Sequence, residues 1–567
     1  MTVRSNRFSD LSISIAKAIT TNEIEKRYDS KSLPHMSQQK VYLKPNVQAE
    51  PLFNQWYAWP YLIAPATASM YMTNSYFKIM ESFVAAPQFH VSALQNPKMK
   101  GGPFINYDAS KVDEIKALLE KTKAEQEELI ELAEGLKKLH LLLMEEAKGY
   151  SMEPLYERVP EVLKGYVELS YDLNNLPSAR LIEGLLYKSK YYKTSSQSLS
   201  LSLVEKDDRP FIFSTPRLED EQSLPLDVHF RHEGLDELFE MKQTPKPLGA
   251  IEEILNIKNG HRGSLWRSFF TEDAPAPLKK YTEEPVRVRY FGHACILIES
   301  KDVSILCDPL ISYKYEGGID RYTYSDLPEV IDYLLITHQH HDHFMLETLL
   351  QLRHKTKTAI VPKNNGGELA DPSMKLLLQN IGFRQVIEIE EMETIEVEGG
   401  SITGLPFLGE HADIKIRSKT AYAIDLQDKA IVVGADSTNC EYRLYDNIKG
   451  ALGKVDLVFL GVQCDGAPLS WAYGGLLIKP LARKMDQSRK SSGSDYEKGL
   501  ALIESLQPQE VYVYAMGYEP WLSYLMHFEN YEQSRSFAEA NKLVSECQSR
   551  GIISERLYGQ RELYLTP

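Results

Sequence analysis

Cysteine is scarce in this sequence, with only Cys295, Cys307, Cys440, Cys464 and Cys547 among 567 residues. The count is odd, and Cys295 and Cys307 sit inside apolar strand-like runs, so neither a disulfide framework nor a zinc knuckle is expected, only reduced thiols of a cytoplasmic protein. Positive charge is not in excess either. A net charge of −15 and a pI near 5.5 argue against nucleic acid as the partner, because phosphate-backbone binding needs a basic face. No apolar run is fit to cross a membrane: residues 51–77 carry no charge, but Asn54, Gln55, Pro60, Pro65 and Asn74 leave them too polar and broken. Met1 to Arg27 shows no apolar core followed by a small-residue cleavage site, so no signal peptide is expected. Before residue 280 there is no phosphate-binding glycine loop and no metal-ligand spacing, and nowhere an internal repeat. His229 and His232, one helical turn apart, are read as ordinary polar residues.

The length calls for two or more domains. Residues 1–30 read as a flexible terminus, 31–272 as a mixed α/β domain, 273–285 as a stiff linker through Asp273-Ala274-Pro275-Ala276-Pro277, and 286–567 as a second domain of short strands. In the first domain the dense aromatics around Trp56 imply a packed core or an interface. Ser110 is expected to cap one long helix whose apolar face runs from Val112 to Leu139. Leu199-Ser200-Leu201-Ser202-Leu203 alternates like a half-buried strand. In the second domain, strands are expected at 286–290, 295–298, 303–307, 358–361, 386–389, 422–426, 430–433, 457–460 and 511–514.

The chemistry concentrates in Thr337-His338-Gln339-His340-His341-Asp342-His343-Phe344, which follows the apolar run 331–336. Four His and one Asp within six residues, on a loop leaving a buried strand, place imidazole and carboxylate donors for metal. His338 and His340 aim at one ion and Asp342 and His343 at a second, with His341 pointing away. Asp436, after Val432-Val433-Gly434, offers two oxygens to bridge the pair. Asp308, ending its strand, either holds a ligand imidazole from behind or is an ordinary strand-end cap. Glu410 and His411 stand side by side, and either is placed to bind.

The succession of His293, Asp308, the 338–343 cluster, Glu410-His411 and Asp436 resembles the metallo-β-lactamase fold, which implies an α+β fold class with an αββα sandwich behind the mixed α/β N-terminal domain. Two features depart from its hydrolytic members. A carboxylate, Glu410, is available as the third donor, and after the last site strand the sequence reads Ala515-Met516-Gly517-Tyr518-Glu519, with no His before His527. A shell richer in anionic oxygen favours iron over zinc.

Two stretches, Gly404 to Asp413 and Cys464-Asp465-Gly466-Ala467-Pro468-Leu469-Ser470-Trp471, narrow the likeness to the diiron amino-acid β-hydroxylase of chloramphenicol biosynthesis. Phe53 to Pro60 and Gly101-Gly102-Pro103-Phe104-Ile105 extend it into the N-terminal half. The resemblance implies His338, His340 and Glu410 on one iron, Asp342 and His343 on the other, Asp436 between them, and His411 outside. It further implies dioxygen as co-substrate, an external two-electron reductant, an amino acid tethered as a thioester to a carrier domain of a nonribosomal peptide synthetase, and a homodimer supported by the N-terminal domain, with its interface near Trp56. Trp471, Tyr473 and Tyr518 fall on loops after strands and are placed as pocket walls, with core packing as the alternative. A dizinc hydrolase acting on a phosphodiester, thioester or lactone is the competing reading, and a non-catalytic scaffold a further one.

Overall fold

The computed structural model describes residues 38–566 apart from 97–98, 100, 258–262, 317 and 527–530. The terminus expected to be flexible and His527 therefore lie outside the described residues. Beyond Pro285 the short apolar runs assemble into two seven-stranded sheets packed face to face. Strands Val286–Tyr290, Ile296–Glu299 and Ser304–Cys307 form an antiparallel meander, and Ile331–Leu335, Thr356–Pro362 and Val386–Ile389 continue the sheet in parallel. The second sheet runs Thr394–Val397, Gly400–Leu405, Ala421–Leu426, Lys429–Val433, Leu457–Gly461, Glu510–Tyr514 and Ile553–Arg556. The last strand, Arg561–Leu565, returns to the first sheet beside Val286–Tyr290.

These strands form because β-branched and aromatic side chains fill the layer between the sheets: Ile296, Ile298 and Leu335 meet Ile402, Tyr422 and Phe459 in one core. Helices Arg443–Leu452, Tyr496–Leu506 and Arg535–Ser549 cover the outer face of the second sheet, through Leu502, Leu506 and Leu543 against Val458 and Leu460. The outer face of the first sheet is covered by helices Leu346–Leu352 and Met374–Asn380, and these share one continuous core with the N-terminal half. The sandwich therefore uses the N-terminal half as part of its own wall.

In that half, strand Val47–Phe53 pairs over its whole length with Gln197–Leu203, whose inward residues alternate as the sequence requires. The long helix is two: Val112–Glu125 and Glu127–Glu146, broken at Gln126 (φ −115°, ψ 27°). Gln126 is buried, and its amide donates to Ser196 Oγ at 2.6 Å, so a tertiary hydrogen bond overrides the helical period. The cap also differs, because Asp108, not Ser110, accepts from the Ser110 backbone N–H at 2.8 Å. The aromatic segment is core and not an interface: Trp56, Tyr57, Trp59 and Tyr61 are buried within the single chain, and Trp56 stacks on Tyr76 at 4.0 Å. Among the described residues, no helix is long and apolar enough to cross a membrane, and all five cysteines are free.

Candidate metal centre

Five of the loops that gather at one edge of the sandwich leave the carboxyl ends of strands. Asp308 follows Ser304–Cys307, His338 to His343 follow Ile331–Leu335, Glu410 follows Gly400–Leu405, Asp436 follows Lys429–Val433, and Ala515 follows Glu510–Tyr514. The turns are tight, and several of their residues lie in the left-handed region, including His293 (φ 50°), Asp308 (φ 40°), Glu410 (φ 64°), Ala435 (φ 47°) and Ala515 (φ 53°). Such conformations persist where surrounding structure over-determines them, which is usual around functional groups. Gly409 opens the Glu410 turn at φ 74°, and a Cβ there would come within 2.7 Å of Thr438 Cβ. Gly461 is also required, since a Cβ would approach Asp436 Oδ1 to 2.9 Å.

Three overlapping groups of donors result, each with its ligand atoms within 4.8 Å of one another: His338 with His340 and Glu410, His338 with His343 and Asp436, and His293 with Asp342 and His343. Glu410 Oε1 lies 2.8 Å from His340 Nδ1, and Asp436 Oδ2 lies 3.1 Å from His343 Nε2. Asp308 sits behind, accepting from His343 Nδ1 at 2.8 Å and from the Thr337 hydroxyl at 2.6 Å. His411 joins none of the three groups. Its Nδ1 lies 2.8 Å from Glu410 Oε2 and 3.1 Å from the Tyr473 hydroxyl.

The electrostatics are those of a site that wants cations. Burial alone would lift the Glu410 carboxyl, but His340 and His411 hold it at about 2. Burial opposes protonation of His343 too, yet Asp436, Asp342 and Asp308 around it raise its pKa well above the ordinary imidazole range. His338, desolvated and beside His343 and His340, is kept neutral. His338 Nε2 and Asp436 Oδ1 are buried without a hydrogen-bond partner, although buried polar atoms are normally satisfied. Unpartnered lone pairs and overlapping donor groups that share His338 and His343 fit a pair of metal ions, and a set that adds three carboxylates, Asp342, Glu410 and Asp436, to its imidazoles fits iron.

Two residues that spacing did not single out complete the surroundings. His293 Nε2 lies 3.2 Å from Asp342 Oδ2, and the backbone N–H of His293 donates to Glu519 Oε1 at 3.1 Å. Tyr473, expected as a pocket wall, is fully buried and reaches His340 Nε2 at 2.9 Å. Trp471 does line the cavity above the donors, which measures about 280 Å³ and is shared with Phe211 and Gly101 of the N-terminal half. Tyr518 does not: it is buried against Tyr531 at 4.6 Å and bonded to Ser534, as core. His341 is held by Phe213, ring centroids 4.0 Å apart, and turns a face to the cavity.

Fold and donor set together define a dinuclear-type metallo-β-lactamase sandwich carrying a dedicated N-terminal domain. A family described as the diiron non-haem β-hydroxylase N-terminal domain matches residues 42–275, and a β-lactamase superfamily domain matches residues 287–486. The 4-amino-L-phenylalanyl-[CmlP-peptidyl-carrier-protein] 3-hydroxylase of Streptomyces venezuelae is 36% identical over 92% of this chain and 99% of its own length. The crystal structure of CmlA, a diiron β-hydroxylase from Streptomyces venezuelae, superposes with a TM-score of 0.88 at 36% identity, covering 93% of this chain and 100% of that one. A UPF0173 protein of Pyrococcus abyssi is 34% identical over 22% of this chain and 50% of its own. The chain belongs to the non-haem diiron β-hydroxylase family and is a diiron oxygenase, as the sequence resemblance implied.

Proposed function

We propose that the chain hydroxylates the β-carbon of an amino acid presented as a thioester on the phosphopantetheine arm of a carrier domain, using dioxygen and an external two-electron donor. The observation that carries this reading is Glu410: a carboxylate, within reach of His338 and His340, fills the place where the hydrolase reading needs an imidazole. The whole-length likeness to a carrier-protein 3-hydroxylase supports the substrate class.

In this reading His338, His340 and Glu410 would hold one iron and Asp342 and His343 the other, with the Asp436 carboxylate available to both. Asp308 would keep the His343 proton on Nδ1 and leave Nε2 free as a donor, and His293, 3.2 Å from Asp342 Oδ2, would orient that carboxylate. The irons supply oxygen activation and C–H oxidation when bound. The protein supplies placement. Phe211, Trp471 and Leu525 form an apolar wall that keeps water from the reacting carbon, while Gln463 and Asp465 stand on the same cavity within reach of the substrate's free ammonium. We place the enzyme in the cytoplasm with its synthetase, as a homodimer whose interface is a face other than the buried Trp56 segment. Residues 31–272 would serve dimerisation and the channel, 273–285 would link, and 286–567 would carry the iron.

The test is direct. The purified enzyme loaded with ferrous iron is given an aminoacyl carrier domain, a chemical reductant and isotopically labelled dioxygen. The expected product is the carrier-bound amino acid with one labelled oxygen on its β-carbon. Two zinc ions per chain with thioester hydrolysis, and no label incorporated, would overturn the reading.

A further inference from the structure

Between Leu477 and Ser491 lie five cationic residues, Lys479, Arg483, Lys484, Arg489 and Lys490, against a single acid, Asp486, in a chain whose net charge is −15. The segment is a built part of the cavity rim. Its helix Arg483–Ser488 is followed by strand Lys490–Ser491, which pairs with Ala467–Pro468, and Ala467, Trp471 and Ser491 line the cavity over the metal donors. Asp486 is already engaged, accepting from the Ser470 N–H at 2.7 Å and the Ser470 hydroxyl at 2.8 Å. Arg489 donates to the Ala412 carbonyl at 2.9 Å, which fastens the rim to the loop after His411. Lys479, Arg483, Lys484 and Lys490 stay exposed, and none pairs with a described carboxylate. Two large apolar side chains are exposed on the same rim, Met485 within the segment at 54% and Trp471 on the preceding helix at 39%. An exposed apolar centre within a ring of unpaired cations is the anatomy of a docking face for an anionic protein surface.

Resting on the reading above, we infer that this rim is where the carrier domain docks, its acidic face and the phosphodiester of its arm meeting Lys479, Arg483, Lys484 and Lys490. The arm then enters beside Trp471. In a chain whose net charge is −15, a run of exposed cations without ion-pair partners is a favoured place for an anionic partner. The rim also ties docking to chemistry by its short path, since helix Leu469–Tyr473 carries Trp471 on the cavity and Tyr473 against His340.

The experiment compares two substrates on iron-loaded enzyme: the aminoacyl carrier domain, and the same amino acid as a thioester of free pantetheine. In the variant combining Lys479→Glu, Arg483→Glu, Lys484→Glu and Lys490→Glu, KM for the carrier substrate should rise about tenfold or more while kcat and KM for the pantetheine thioester stay unchanged. Wild-type KM for the carrier should climb with added salt, and that of the variant should not. The four-Ser variant should fall between the two, which keeps the test open if the reversed one misfolds. An unchanged carrier KM, or equal losses on both substrates, would overturn the docking site. A wild type that hydroxylates neither thioester would instead remove the functional reading, and the docking site with it.

Discussion

Arg209 anchors the contact between the N-terminal half and the metal loop, and its removal should be costly. Its guanidinium donates to Glu50 Oε1 and Glu347 Oε2, both at 2.8 Å, and stacks over the Tyr524 ring at 3.7 Å. Glu347 lies on helix Leu346–Leu352, four residues beyond His343, and also accepts from Tyr57 at 2.7 Å and from Tyr313. Glu50 has a second cation, Arg217, at 2.7 Å and 3.0 Å, so the four charges balance. Arg209→Met leaves Glu50 paired and takes from Glu347, 3% exposed, its ion-pair contact. Breaking a buried pair from one side costs ~3–5 kcal/mol. With a melting shift of roughly 2–4 °C per kcal/mol for domains of 150–250 residues, the midpoint should fall by about 6–20 °C. Glu347→Gln in the same chain restores neutrality and keeps an acceptor for the two phenols. The double variant should therefore recover about 2 kcal/mol relative to the sum of the singles. Calorimetry on the iron-loaded protein, with chelator-induced iron loss as a second readout, measures both. A single-variant cost under ~1 kcal/mol, the value of an exposed pair, with no coupling to Glu347, would refute the reasoning.

Two further outcomes are expected. Asp308→Asn should weaken iron binding about 10–100-fold in a chelator competition with the fold intact, because it removes the negative charge behind His343 Nδ1. Lys242 is buried among the rings of Tyr313 and Tyr324, and that burial, against the pull of Glu347, pushes its pKa down to about 7. The unfolded chain binds this proton more tightly, so the folded protein loses stability as pH falls from the ordinary lysine value through about 7. Lys242→Met should therefore raise the melting temperature more at about pH 6 than at about pH 10, and an equal gain at both would count against it.

Local patterns made much of this legible in advance. The 338–343 cluster, Asp308 and Asp436 stand within or directly after apolar runs, so period and spacing place them at strand ends before any contact is known. The strands 394–397, 400–405, 553–556 and 561–565 did not announce themselves. They mix Thr, Glu, Gly and Arg with few apolar residues, and Gly400–Leu405 is held between Thr394–Val397 and Ala421–Leu426, the latter pairing along its whole length. Contacts between distant residues were equally out of reach: Tyr473 to His340 spans 133 positions and Arg209 to Glu347 spans 138.

The choice between Glu410 and His411 belongs to a third kind, since composition names both donors and spacing prefers neither. The backbone decides it. Gly409 at φ 74° and Glu410 at φ 64° form a left-handed pair, and the turn they make sends the carboxylate toward His338 and His340 while Ala412, at φ 52°, carries the chain away. His411 is left to hold Glu410 Oε2 from 2.8 Å with Tyr473 behind it. A residue other than glycine pays about 1–3 kcal/mol for such a conformation. The placement of the Glu410 carboxylate thus depends on a left-handed turn in which Gly409 is required, because a Cβ there would meet Thr438 Cβ at 2.7 Å, and no residue pattern displays that.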